Sequence, residues 1–286
     1  MSRIPVFFDR RMVVDIPLES PSPRKPLKVV EQWRRRFDIE VLGFEPATVD
    51  DFCLAHARSH VEGVLSLQIA NGMDTRDQEV VDSLPWTVGS MVAAARHALR
   101  HGIAVSPTSG FHHAGHDFSW GFCTFNGLLV AALKLLREEG VARVGILDFD
   151  QHQGDGSEDI VARLGLDDGR VVHLTGKSSY PREADAFFAA IPALLDALAG
   201  SDVVLYQAGA DQHVDDPLGG SLDSAQMRLR DRLVFEFFSA RAIPLAWNLA
   251  GGYQESVVDG QRSIEKILTI HDATMEECER AFAKAC

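Results

Sequence analysis

From about residue 85 onward, short continuous apolar runs alternate with longer stretches in which apolar positions recur at three-and-four spacing. The runs 144–149 (VGILDF), 171–174, 203–206 and 244–249 have strand length and lack polar alternation, as strands covered on both faces do. The stretches 86–99, 126–137, 183–198 and 224–240 carry the helical period. The first two run up to Gly102 and Gly140, residues suited to a left-handed helix end. This β-α-β-α rhythm predicts a three-layer α/β/α fold around a mostly parallel central sheet.

The first 80 residues are less regular. Residues 16–26 (IPLESPSPRKP) hold four prolines, and proline removes a backbone donor and fixes φ, so this is neither an interior helix nor a central strand. An ordered surface loop is expected there rather than a linker. With no internal repeat or low-complexity segment, one domain over 1–286 is the expectation.

Composition narrows the function classes. The 286 residues are 46% hydrophobic and 24% charged, ordinary for a globular chain, with a net charge of −13. An acidic chain is a poor candidate for nucleic acid, whose binders need clustered Lys and Arg, and for an anionic membrane surface. Cys53, Cys123, Cys278 and Cys286 are scattered and form no CxxC pair. The start, MSRIPVFFDRR, lacks a secretory signal, and no apolar run nears the length of a membrane span. A cytoplasmic protein with reduced thiols is expected, and nothing in the pattern fixes an oligomeric state.

The unusual residues fall at the strand ends. Asp148-Phe149-Asp150-Gln151-His152 follows VGIL, Gly209-Ala210-Asp211 follows VVLY, and Gly251-Gly252-Tyr253 follows PLAWNL. In open parallel sheets, sites form beyond the carboxyl ends of the strands. Asp150 and His152, two apart on an extended segment, point the same way and can approach one metal together, with Asp211 as a third ligand. Three N/O ligands with an open position describe a catalytic zinc rather than a closed structural one. The adjacent His112 and His113 suit proton transfer near neutral pH, and Asp148 and Asp155 are placed to orient one ring each.

The strings HHAGHDFSWGFCTFN (112–126), DFDQHQGDG (148–156), GADQHVDDPLGG (209–220) and GGY (251–253) resemble, in order and spacing, the signatures of zinc-dependent histone deacetylases, members of the arginase/deacetylase superfamily. The stretches 216–222 and 230–254 resemble the class IV branch in particular. The resemblance implies an arginase/deacetylase-like fold and hydrolysis of acetyl or longer acyl groups from lysine side chains, acetylpolyamines or other small acylated amines. It assigns Zn²⁺ to Asp150, His152 and Asp211, and proton handling to His112 and His113, backed by Asp148 and Asp155 respectively. Tyr253 becomes the hydrogen-bond donor to the substrate carbonyl, while Gly121, Phe122 and Tyr180 shape a tunnel for the acyl-lysine stem. A structural K⁺ or Na⁺ near Asp148, Asp150 and His152, helped by residues 173–175, also belongs to the family pattern.

Two departures stand out. Leu249-Ala250 precede Gly251-Gly252 where the family has further glycines, and an acidic substrate clamp has only Asp74 and Asp77 as candidates. Two alternatives share part of the pattern. A binuclear manganese ureohydrolase of the arginase type needs further carboxylates, but Gly154 and His213 stand where they are required. A non-catalytic acyl-lysine binder has no need to keep the histidine pair and the tyrosine.

Overall fold

The computed structural model describes residues 3–16, 20–258 and 261–282. Seven strands form one sheet: β1 (Ile4–Phe7), β2 (Ile39–Leu42), β3 (Ile103–Ser106), β4 (Val144–Asp148), β5 (Val171–Thr175), β6 (Val203–Gln207) and β7 (Leu245–Asn248). Their order is β2-β1-β3-β7-β6-β4-β5 and every pairing is parallel. β4 to β7 coincide with the apolar runs. β1, β2 and β3 were not expected: each has only four residues, too few to show a period against the sequence around it.

Successive residues of a strand face opposite layers, and the core divides accordingly. Leu147, Val204, Tyr206, Leu245 and Trp247 pack beneath helices Lys25–Arg36, Ala184–Leu198, Ser224–Ala240 and Glu265–Phe282. Val144, Ile146, Val203, Leu205 and Ala246 pack beneath helices Gln78–His101 and Gly127–Glu138. The result is a three-layer α/β/α fold with an all-parallel sheet. Among the described residues no helix is long and apolar enough to cross a membrane.

The helix expected at 86–99 begins at Gln78 and runs through Pro85. Asp77 caps it, accepting hydrogen bonds from the backbone N–H groups of Glu79 and Val80, which offsets part of what an interior proline removes.

The proline-rich stretch is not a surface loop. Ser20, Ser22, Lys25 and Pro26 are buried, and Pro26 sits in the first turn of helix Lys25–Arg36, where its missing N–H costs little. Residues 17–19 lie outside the described residues, as does Cys286.

Candidate active site

The four middle strands of the order, β3, β7, β6 and β4, deliver four neighbouring loops to one end of the sheet. The β3 loop carries His112 and His113, the β4 loop Asp150 and His152, the β6 loop Asp211, and the β7 loop Gly251 to Tyr253. Sequence separations of more than a hundred residues collapse into one cluster because parallel strands end on the same edge.

Asp150, His152 and Asp211 converge. His152 Nδ1 lies 3.1 Å from Asp150 Oδ1 and 3.1 Å from Asp211 Oδ2. One donor atom from each residue falls within 4.8 Å of the others, and no further group of this kind occurs among the described residues. Zinc–ligand bonds of about 2 Å are compatible with such spacings.

The electrostatics agree with a cation at this point. Burial, followed by the negative charge of Asp150, raises the Asp211 pKa to about 7. Hydrogen bonds to Asp150 and Asp211 raise the His152 pKa to about 10. Two buried carboxylates thus face a single point, where a proton on imidazole supplies the positive charge they need. A divalent ion fits there, held by the same three side chains. Gly154 and His213 provide no carboxylate for a second ion, and His213 is engaged with Ser224 and the backbone of Asp215.

Two His–Asp pairs flank this point. His112 Nδ1 lies 2.7 Å from Asp148 Oδ2, and His113 Nδ1 lies 2.7 Å from Asp155 Oδ1. The rings stand 4.2 Å apart between centroids, but their environments differ. Burial would lower the His112 pKa, yet the charges of Asp148 and Asp150 outweigh it and raise it to about 9. For His113 burial and the neighbouring His112 charge prevail over Asp155, so its pKa is lowered. Asp148 also accepts from Gln207 Nε2, Thr175 Oγ1 and the Asp150 backbone N–H. The charge and hydrogen bond of His112, helped by His173, hold the Asp148 carboxyl below the usual range despite burial.

Tyr253 reaches the cluster from the β7 loop, and its ring centroid lies 5.6 Å from that of Phe122. Burial, then the charges of Asp150 and Asp211, push the Tyr253 phenol well above its ordinary value, so it stays a hydrogen-bond donor. Gly121 and Phe122 have φ of +58° and +64°. A Cβ on Gly121 would lie 2.6 Å from the His113 ring, so this glycine lets the chain pass close beneath the imidazole.

Tyr180 does not line this tunnel. It is 3% exposed, packs on Phe149 and Phe187, and donates its hydroxyl to the Asp148 carbonyl. The Pro181 that follows ends a short helical turn, and the aromatic ring turns inward to the core instead of outward to substrate. Asp77 is engaged as the helix cap, and Asp74 stays exposed at a turn.

The sequence reading missed four residues around the site. Trp120 is 49% exposed and stacks on His113 at 4.6 Å, making an aromatic lip beside Gly121. Gln207 ties Asp148 to the backbone of Phe111, and its polarity at the end of VVLY was a readable signal. Lys25, fully buried, donates to the carbonyls of Ala250 and Gly251. Ala250 adopts φ of +55°, so the unexpected alanine takes a left-handed turn pinned from behind by that ammonium. Arg230 is equally buried.

The profile described as "Histone deacetylase domain" matches residues 22–190, more than half of the chain. The chain belongs to the histone deacetylase family. Asp211 and Tyr253 lie beyond the matched span, and the fold brings them to it. An uncharacterized protein of Picosynechococcus is 30% identical over 208 residues, 62% of this chain and 68% of its own length. The crystal structure of the HDA15 HD domain superposes with a TM-score of 0.77 at 17% identity, covering 99% of this chain and 90% of that one. Acetylpolyamine aminohydrolase from Burkholderia pseudomallei gives 0.74 at 17% identity, covering 96% of this chain and 98% of that one. At that identity the likeness is one of fold. The chain spans 51% of histone deacetylase 2 of Arabidopsis thaliana and 66% of histone deacetylase 10 of rice, both curated relatives it matches.

Proposed function

We propose that this histone deacetylase family chain is a zinc-dependent amidohydrolase that removes acyl groups from lysine side chains or comparable amines. The observation that carries the reading is the convergence of Asp150, His152 and Asp211 on one point, with both His–Asp pairs beside it. When bound, Zn²⁺ supplies Lewis-acid polarisation of the amide carbonyl and lowers the pKa of water. His113, neutral near pH 7, accepts the proton of the attacking water at Nε2, while Asp155 holds its Nδ1. The Tyr253 hydroxyl donates to the oxygen that becomes negative as the carbonyl is attacked. His112, buried between Asp148 and Asp150, keeps a positive charge beside the reacting centre. Phe122 and Trp120 confine the aliphatic stem of the substrate. The structural K⁺ or Na⁺ implied by the resemblance belongs to the same proposal.

An apolar cleft with a cavity volume of about 70 Å³ is lined by Met12, Val14, Met73, Leu84, Phe111 and Phe122 among others. Its wall at Gly110 adjoins Asp150, since a Cβ built there falls 3.9 Å from Asp150 Oδ2. Its apolar walls favour contact with an alkyl portion of the substrate.

The test is a comparison of acetyl-lysine, myristoyl-lysine and acetylpolyamine substrates with zinc-loaded protein, together with the metal content. One zinc per chain and hydrolysis of at least one of these amides is expected. Two manganese ions per chain would favour the ureohydrolase reading. One zinc without turnover of any amide would favour a binding protein.

A further inference from the structure

Behind the metal-ligand loops, on the side away from substrate, lies a guanidinium to which the chemistry above gives no task. Arg230, on helix Ser224–Ala240, is 0% exposed. A cation taken wholly out of water is strongly disfavoured unless paired and hydrogen-bonded. Its Nε and Nη2 both lie 2.8 Å from Asp231 Oδ1, which settles the charge. Asp231 is held in turn by the hydroxyls of Tyr206 and Thr274.

The remaining nitrogen, Nη1, faces the site. It donates to the Gly209 carbonyl at 2.7 Å, to Gln212 Oε1 at 2.9 Å and to the Phe149 carbonyl at 3.3 Å. Phe149 immediately precedes Asp150, while Gly209 and Gln212 bracket Asp211. One donor therefore bridges the two loops that hold the carboxylate ligands. The paired register of β4 and β6 runs out at Asp148 and Gln207, just before those loops begin.

We propose that Arg230 is a positioning residue that sets the spacing between Asp150 and Asp211 and so tunes the affinity of the metal centre. The inference rests on the metal reading given above. The planar fork matters as much as the charge: Nε bonds Asp231 while Nη1, at a fixed angle to it, bonds both loops. A lysine ammonium, a point donor on a flexible stem, cannot do both. Groups that orient metal ligands in this way typically contribute about 10–100-fold to metal affinity.

The experiment measures Zn²⁺ dissociation constants by competition with a chromophoric chelator, on the purified full chain. The variants are Arg230→Lys, Gln212→Leu and the double. Arg230→Lys keeps a positive charge beside Asp231, and Gln212→Leu removes one acceptor of Nη1 without touching that pair. Arg230→Lys is expected to weaken Zn²⁺ about 10–100-fold, with the melting temperature of the metal-free protein little changed. Gln212→Leu should weaken it less, and the double variant no more than Arg230→Lys alone, because the lost bonds share one nitrogen. Visible absorption of the Co²⁺-substituted protein, sensitive to ligand angles, should shift in Arg230→Lys. Affinity within about threefold of wild type, or losses that simply add, overturns the proposal. If Arg230→Lys does not fold, Gln212→Leu decides by the same threshold. A wild-type chain that fails to bind Zn²⁺ defeats the metal reading itself. A wild type that binds, with variants that bind equally, defeats only the role of Arg230.

Discussion

Replacing Gly251 by alanine inserts one methyl group between the β7 loop and Asp211, a proposed metal ligand. A Cβ built on Gly251 lies 2.2 Å from Asp211 Oδ2 and 2.3 Å from Asp211 Cγ, whereas ordinary contact begins at 3.4 Å. One partner must move by about 1 Å, and the glycine cannot retreat freely. Its N–H donates to Asp150 Oδ2 at 3.0 Å and its carbonyl accepts from Lys25 Nζ at 2.8 Å. Asp211 yields instead, losing its 3.1 Å bond from the Gln151 backbone N–H and its alignment with His152. A misplacement of about 1 Å at a reacting centre costs roughly 10²-fold in rate, and a displaced ligand should weaken the metal at least as much. The assay pairs a Zn²⁺ competition titration with kcat/KM on an acyl-lysine peptide. Gly43→Ala, where the new Cβ meets nothing within 4 Å, serves as the control. Zinc affinity and kcat/KM within about threefold of wild type in Gly251→Ala would refute the reasoning, since the position of Asp211 in the structure would then not matter to the ion.

Tyr253→Phe removes one donor to the developing oxyanion and should lower kcat about 10²–10³-fold with KM nearly unchanged, as read by steady-state kinetics. Wild-type turnover would transfer that role elsewhere. The rate should fall as pH drops through the His113 pKa, which lies below the ordinary histidine value of about 6.5. Asp155 raises that pKa, so Asp155→Asn should move the acid limb of kcat/KM to lower pH as well as reduce the maximum; a shift to higher pH would contradict the pairing. In the metal-free protein His152, with a pKa of about 10, is protonated at neutral pH and Asp211, at about 7, is partly so. Binding of Zn²⁺ must therefore release protons, and affinity should weaken as pH falls from 7 to 5. Calorimetry in buffers of different ionisation enthalpy counts those protons, and a release of none would sink this account.

The sequence displayed the half of the sheet formed by β7, β6, β4 and β5 well because these strands are mostly apolar and end abruptly in polar residues and glycines. The convergence of Asp150, His152 and Asp211 was legible for the same reason: Asp150 and His152 share an extended segment, and Asp211 follows another buried run. β1, β2 and β3 were hidden by their brevity, and Tyr180 was misplaced because a motif position does not reveal which way a ring turns. Lys25 and Arg230 were invisible for a different reason. A basic residue reads as surface, and only three-dimensional closure shows that its partners are carbonyls from loops far away along the chain. Gln207 lay between these cases, a polar end to an apolar strand whose meaning depends on Asp148 beside it.

The contact between Lys25 and the carbonyls of Ala250 and Gly251 joins positions 225 and 226 residues apart. During synthesis the ribosome therefore delivers one half of this latch long before the other. β7, which joins β3 to β6 at the middle of the sheet, is itself made only just before this loop, so the two halves of the sheet and the cluster at their ends close together. Closure of the cluster arrives late, when the β7 loop settles over an ammonium made some 225 residues earlier.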